Sequence, residues 1–274
     1  MPVLSNILSY ANDIRLLALE LCYRKRSSHI GGALSIADVL AVLYGKTLNI
    51  APETISDSGR DRLYYSKGHA CVALYAALAL RAFFDREELL DKFTRDGAYF
   101  TSHVNHHLPG IELSTGSLGH ALGVSCGSAI ASKRLARSNI IVTIVSDGEL
   151  DEGSNWEAIL FAAHHQLDNL ICIVDYNKIQ SFGNVSDVMT LEPLVDKFRA
   201  FNWSVDVIDG HSVFSIHETL ERLKVERSGR PKCVIANTVK GKGVSFMENK
   251  IEWHYRPPSE NEFLKACSEL KGTL

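Results

Sequence analysis

The 274-residue sequence predicts a three-layer α/β fold, with a mainly parallel sheet and helices on both faces. Three observations carry this expectation. Short apolar runs rich in β-branched residues, Ile140–Ser146, Asn169–Val174 and Lys232–Thr238, suit strands buried on both faces. Amphipathic helical stretches separate them, so strand, helix and strand should form right-handed crossover units. A hydrophobic content of 46% over this length is enough for the core of one large domain, residues 1–274.

Composition excludes several classes. A net charge of −3 offers no basic field for nucleic acid. Cys22, Cys71, Cys126, Cys172, Cys233 and Cys267 are scattered, with no CxxC pair, as expected of free thiols in a reducing, cytoplasmic compartment. The N-terminus lacks the basic start and apolar core of a signal peptide. The longest charge-free apolar stretch, Ala70–Leu80, is too short to span a bilayer, so no membrane partner is expected.

Taken in order, residues 5–26 pattern as an amphipathic helix with Ile7, Leu8, Ile14, Leu17 and Leu21 on one face and basic residues at its end. SSHIGG breaks it and leaves His29 free to face a ligand; Ser35 is then expected to cap a second helix, Ile36–Tyr44. Leu63–Tyr65 reads as a short strand leading into Ser66-Lys67-Gly68-His69, where a helix over 70–84 begins. A helix start of this kind binds anions, and His69 could add a hydrogen bond to a phosphate oxygen. A short charged helix is expected over 85–96. His103, His106 and His107 form a dense imidazole cluster, but without a nearby cysteine or an HxxxH helix it does not read as a zinc site. Gly116 to Gly119 forms a glycine-rich turn, and Gly119, Gly123 and Gly127 recur as if to admit a closely packed backbone. Further on come a helix over 191–202, a strand Ser204–Ile208, a helix Val213–Arg227 capped by Ser212, and the loop Lys240-Gly241-Lys242-Gly243.

The centre of this pattern is residues 140–183. The first strand ends at Asp147-Gly148; Glu149, Asp151 and Glu152 then place negative charge at a helix start, and the second strand closes on Asp175-Tyr176-Asn177. Asp147 and Asn177 therefore follow the C-terminal ends of neighbouring strands, the edge where open α/β sheets bind ligands. A carboxylate oxygen, an amide oxygen and a free carbonyl such as that of Ile179 would make an incomplete octahedron suited to Mg²⁺ holding a diphosphate. Taken singly, the same residues also read as a helix cap and a turn.

The strings SDGELDEGSNWEA and LDNLICIVDYNKIQSFG resemble the thiamine-diphosphate motif of transketolases, with Ser146 in place of a glycine. RDRLYYSKGHA, STGSLG and EWHYRP are similar to transketolase strings in the same order, over nearly the whole chain. This resemblance implies a thiamine-diphosphate-binding fold and the N-terminal, diphosphate-binding part of a transketolase. It implies that Asp147, Asn177 and the Ile179 carbonyl hold Mg²⁺ (or Ca²⁺ or Mn²⁺). It implies that His69 and Lys240 reach the diphosphate and that Gly116 and Leu118 meet the aminopyrimidine, with Ser117, Gly148 and Glu149 in the same motifs. His29, His103 and His254 would face the substrate, and Glu157 would match a carboxylate at the subunit interface. The match departs at Ser28 and Ile30, where the family has Gly and Pro, and at Arg256, where it has Lys.

The resemblance also implies what is missing. The family's pyrimidine-binding domain, with the Glu that activates the cofactor and most of the arginines that hold sugar phosphates, has no counterpart here. The glutamates of this sequence read as helix starts and exposed faces. The expectation is the N-terminal subunit of a split transketolase that acts on sugar or sugar-phosphate substrates. It would need a separate C-terminal subunit, in a heterotetramer of two chains of each kind. The rivals are a subunit of a deoxyxylulose-phosphate synthase or an oxo-acid dehydrogenase, and a cofactor-binding subunit without catalysis. A NAD-binding domain is disfavoured, since no GxGxxG follows a strand.

Overall fold

The computed structural model describes residues 2–272. In chain order the elements are α1 (Pro2–Lys25), α2 (Ile30–Val42), β1 (Arg62–Tyr65), α3 (Cys71–Leu80), α4 (Arg86–Lys92), α5 (Ala121–Arg134), β2 (Ile141–Ser146), α6 (Gly153–His164), β3 (Leu170–Tyr176), α7 (Val185–Val188), α8 (Leu194–Ala200), β4 (Ser204–Asp209), α9 (Val213–Val225), β5 (Lys232–Asn237) and α10 (Glu260–Gly272). The five strands form one sheet in the order β1-β2-β3-β5-β4, with every neighbouring pair parallel.

Alternation along the strands sorts their side chains into two cores. Val142, Ile144, Ile171, Ile173 and Val234 pack with α1, α2, α3, α9 and α10. Ile141, Val145, Cys172, Val174 and Ile235 pack with α5, α6 and α8 on the other face. That is the three-layer arrangement expected from apolar strands separated by amphipathic helices. Register then sets the ligand edge. Tyr65 pairs with Ile144, Ser146 with Asp175, and Tyr176 with Asn237. The segments that begin at Ser66, Asp147, Asn177 and Thr238 therefore leave the sheet side by side.

Several boundaries differ from the sequence reading. Ser35 caps nothing: α2 begins at Ile30, and the buried Ser35 hydroxyl lies within the helix, 3.0 Å from the Gly32 carbonyl. His29 takes a left-handed conformation, its N–H donates to the His254 carbonyl at 3.0 Å, and its own carbonyl accepts from Ala33 to open the helix. Tertiary contacts therefore outweigh the local preference of paired glycines against helix. The packing at Gly31 is tight, since a Cβ there would meet Lys240 at 3.1 Å and Trp253 at 3.3 Å. The helix expected after the acidic stretch 149–152 starts at Gly153, following a 3₁₀ turn over Gly148–Asp151. Gly123 and Gly127 pack against no other segment of this chain: a Cβ at either would meet nothing within 4 Å among the described residues. Leu8 is exposed rather than on the buried stripe of α1. Asp85 does cap α4, accepting from Glu88 N at 2.8 Å, and Ser212 caps α9, accepting from Ser215 N at 3.2 Å. Residues 30–47 are apolar and long enough to cross a bilayer by composition, but they are buried inside the fold as a core helix.

Candidate active site

A cavity of about 410 Å³ opens at the C-terminal edge of the sheet. Its wall includes Lys67, His69, Gly116, Leu118, Asp147, Gly148, Asn177, Ile179, Lys240 and His254. These wall residues come from six separate places in the chain. The β1 end carries Lys67 and His69, and Gly68 lets this turn lie against the next loop. A Cβ at Gly68 would sit 2.3 Å from the Thr115 carbonyl, so no side chain fits there. The Thr115 hydroxyl donates to the Tyr65 carbonyl at 2.7 Å and fixes the same crossing.

Asp147 is buried at the end of β2, with its two oxygens accepting from Gly148 N at 2.7 Å and Lys178 N at 2.6 Å. Burial, and then the neighbouring Asp175 carboxylate, push its carboxyl up to about 6. The Asn177 amide oxygen accepts from Ile179 N at 3.2 Å. The Ile179 carbonyl accepts from the Lys240 ammonium at 3.0 Å, and that ammonium also lies 3.0 Å from Nδ1 of His254. The donor set is one carboxylate, one amide oxygen and one main-chain carbonyl, all hard oxygen ligands on one cavity. The buried carboxylate is bonded by main-chain N–H groups rather than by a cationic side chain. The set fits a divalent metal of the Mg²⁺ or Ca²⁺ type.

Beneath the cavity lies a fully buried ionic network. The Lys67 ammonium pairs with Asp175, and both side chains are essentially inaccessible. Lys67 also donates to the Gly32 carbonyl at 3.0 Å, and the Ser35 hydroxyl donates to Asp175 at 2.7 Å. The Thr238 hydroxyl bonds the other Asp175 oxygen. Burial pushes the Asp175 carboxyl up, but Lys67 and the two hydroxyls outweigh it and hold the group below its ordinary value. This network joins α2 and the ends of β1, β3 and β5 under the site, and neither Lys67 nor Asp175 stands out as a site residue in the sequence. The available signal is the charge of Asp175 in an otherwise apolar strand: a carboxylate at the end of a buried strand requires a partner.

Four imidazoles converge. The His29 ring lies 5.3 Å from His69, 6.1 Å from His103 and 4.8 Å from His254, and His69 lies 5.6 Å from His254, between ring centres. Burial lowers all four. His29 falls to about 4, helped by His103 and Lys240, and His254 to about 3, helped by Lys240 and His29. His69 falls well below its ordinary value through burial and Lys67, and His103 through burial alone. At neutral pH the cluster is uncharged, so it offers N–H donors and nitrogen acceptors to hydroxyl groups rather than a positive field. His106 and His107 form a separate group, with His107 stacked on Tyr99 at 4.7 Å.

Some expected members lie elsewhere. Glu149 is buried behind the cavity, not exposed at a helix start. It binds the Ser66 hydroxyl, accepts from Gly119 N at 2.9 Å and from Ser146 N at 3.3 Å, and so ties three loops together. Ser117 is exposed and outside the cavity wall, and Glu157 is exposed on α6 beside the open face of α5. Arg256 stacks on Trp253 at 3.9 Å and forms a fork with Glu262, at 2.7 and 3.0 Å, which accounts for its charge. The cavity also contains residues not expected there from the sequence. Asp151, whose Oδ2 accepts from Gln180 at 2.9 Å, lines it, as do Gln180, Phe182 and Glu152. Glu149 thus corrects the expectation that every glutamate would be explained by a helix start or an exposed face, whereas Glu152 is exposed at the start of α6 as expected.

Residues 8–271 match the family described as transketolase, thiamine diphosphate binding domain. The chain is 44% identical to a 6-deoxy-6-sulfo-D-fructose transketolase subunit of Clostridium sp. (strain MSTE9), over 95% of this chain and 94% of that protein. It is 41% identical to an apulose-4-phosphate transketolase subunit of Actinobacillus succinogenes, over 89% of this chain and 87% of that one. Against human transketolase the identity is 33%, over 96% of this chain but only 42% of the human protein. The solved transketolase of Campylobacter jejuni superposes with a TM-score of 0.91 at 31% identity, over 99% of this chain and 43% of that structure. The cavity at the strand ends, its metal-type donor set and the four imidazoles thus sit in a chain that belongs to the transketolase family and spans its thiamine-diphosphate-binding domain.

Proposed function

We propose that this chain is the N-terminal subunit of a split transketolase, a transferase that moves a two-carbon ketol unit from a ketose to an aldose together with a separate C-terminal subunit. The observation that carries this reading is length. The chain covers nearly all of two relatives named as transketolase subunits, but about two fifths of the human enzyme. Thiamine diphosphate would supply the carbon nucleophile that protein side chains do not offer.

The protein's own contribution is binding and orientation. Asp147, the Asn177 amide oxygen and the Ile179 carbonyl would hold the metal, and Lys240 and His69 would take diphosphate oxygens. Lys240 now occupies the Ile179 carbonyl, so a metal there would push its ammonium toward the incoming phosphates. Gly116 and Leu118 would form the wall against the aminopyrimidine. The neutral imidazoles of His29, His103 and His254 would hydrogen-bond the hydroxyls and carbonyl of the ketose and stabilise charge as it develops on oxygen. Six free cysteines suit a cytoplasmic enzyme. The open face of α5 and α6, which bears Glu157, suits subunit contact in a two-plus-two heterotetramer.

Reconstitution tests this reading. The purified chain, given thiamine diphosphate and Mg²⁺, should show no ketol transfer; addition of a C-terminal transketolase subunit from the same source should restore it. Full activity from this chain alone would overturn the split-enzyme reading and make Glu152 the first carboxylate to examine as the internal activating acid.

A further inference from the structure

We propose that His211 is a positioning residue that holds Lys240 at the cofactor cavity through the main chain of Val239. This rests on the reading of Lys240 as a diphosphate ligand. β5 ends at Asn237, so Val239 N–H has no strand partner. It donates instead to Nε2 of His211 at 2.8 Å. Because Nε2 accepts there, the proton of the neutral ring must sit on Nδ1, which lies 2.8 Å from Asp38 Oδ2. Asp38 is buried in α2 and is gripped by Arg15 of α1 through a fork, at 3.1 and 2.5 Å. Arg15, Asp38, His211 and Val239 thus form one chain of hydrogen bonds, running from the helical layer to the residue next to Lys240.

Geometry gives this chain a purpose. His29 immediately precedes α2, so one helix fixes a substrate-side imidazole through its start and the Lys240 turn through Asp38. The turn is held elsewhere by main-chain bonds, from Gly241 N to the Gly31 carbonyl at 2.9 Å and from Asn249 N to the Lys240 carbonyl at 2.9 Å. His211 is the side chain that sets its entry. Lys240 is itself buried, so its ammonium reaches the cavity from one direction only, and a rotation at Val239 moves it.

The test is a double-mutant cycle on the assembled enzyme, read as thiamine diphosphate affinity in the presence of Mg²⁺. His211→Leu should weaken binding about tenfold. His211→Gln, whose amide can accept from Val239 and donate to Asp38, should stay within about twofold of wild type. Lys240→Met should weaken binding at least as much as His211→Leu, and adding His211→Leu to it should cost little more. Unchanged binding in His211→Leu, or a full tenfold loss added on top of Lys240→Met, would overturn the proposal while leaving Lys240 as a ligand. Unchanged binding in Lys240→Met would overturn both readings. Should His211→Leu fail to fold, the wild-type ring decides: nitrogen-15 shifts must show the proton on Nδ1, and a proton on Nε2 refutes the arrangement.

Discussion

In the Asp147→Ala variant, thiamine diphosphate and Mg²⁺ should bind at least about 100-fold more weakly than in wild type, a larger loss than removal of an outer-shell partner usually causes. The carboxylate is the one charged group in the donor set, and neither Asn177 nor Ile179 can replace its charge. Stability should respond differently. In the free protein the folded Asp147 carboxyl sits near 6, above its ordinary 3.8. A raised folded value means that the folded chain holds the proton more tightly than the unfolded one. The resulting penalty is therefore fully present above about pH 6 and fades as pH falls toward the ordinary value. Substitution relieves that penalty at pH 7 but leaves the N–H groups of Gly148 and Lys178 without an acceptor, at about 1–3 kcal/mol each if buried. The two effects oppose, so the thermal midpoint without cofactor should move little. The cofactor-dependent rise, about 2.7 kcal/mol at a ligand concentration of 100 times the wild-type Kd, should fall to about 0.4 kcal/mol or less at that concentration. Calorimetry with and without cofactor reads both quantities, and an undiminished cofactor-dependent rise would place the metal elsewhere.

Lys67→Met should destabilise the fold by about 3–5 kcal/mol, the usual cost of leaving one member of a buried ion pair without its partner. Asp175 would keep the Ser35 and Thr238 hydroxyls but lose its counter-ion in a site sealed from water. The pH dependence should invert at this group. In wild type the folded Asp175 carboxyl is held low, so its contribution is present above the ordinary carboxylate range and is lost on acidification. In the variant burial dominates and raises it, so the deficit should grow as pH rises from acid toward neutral. Urea unfolding at several pH values is the measurement. Lys67→Met combined with Asp175→Asn should recover part of the loss, because no bare charge remains. A deficit below about 1 kcal/mol at neutral pH, the level of an exposed pair, would show that this network does not carry the site.

Much of the site is legible in the sequence because its residues lie in short strings whose strand context follows from hydrophobic pattern alone. Asp147 and Asn177 each follow an apolar strand, and two adjacent parallel strands must deliver their last residues to the same edge. His69, His103, His254 and Lys240 enter through motif strings, and all four line or adjoin one cavity. His211 is visible only as part of a strand-end turn, since nothing local announces that its two nitrogens bridge Asp38 and a main-chain N–H. The start of the second helix is not legible, because paired glycines weigh against a helix start. The contacts that reverse this weight, to Trp253 and His254, are more than 200 residues away in the chain.

The sequence by itself determined the layer architecture, the parallel sheet and the oxygen-donor edge. These depend on which residues are apolar and at what period, and that information is local. Only the tertiary structure decided which charges are buried and with what partner: Lys67 with Asp175, Arg15 and His211 with Asp38, Glu149 with three loops. The same letters read as ordinary surface charge until the chain closes around them. A charge's behaviour is set by the solvent it loses and the opposite charge it gains, and both are properties of the packed molecule rather than of any segment.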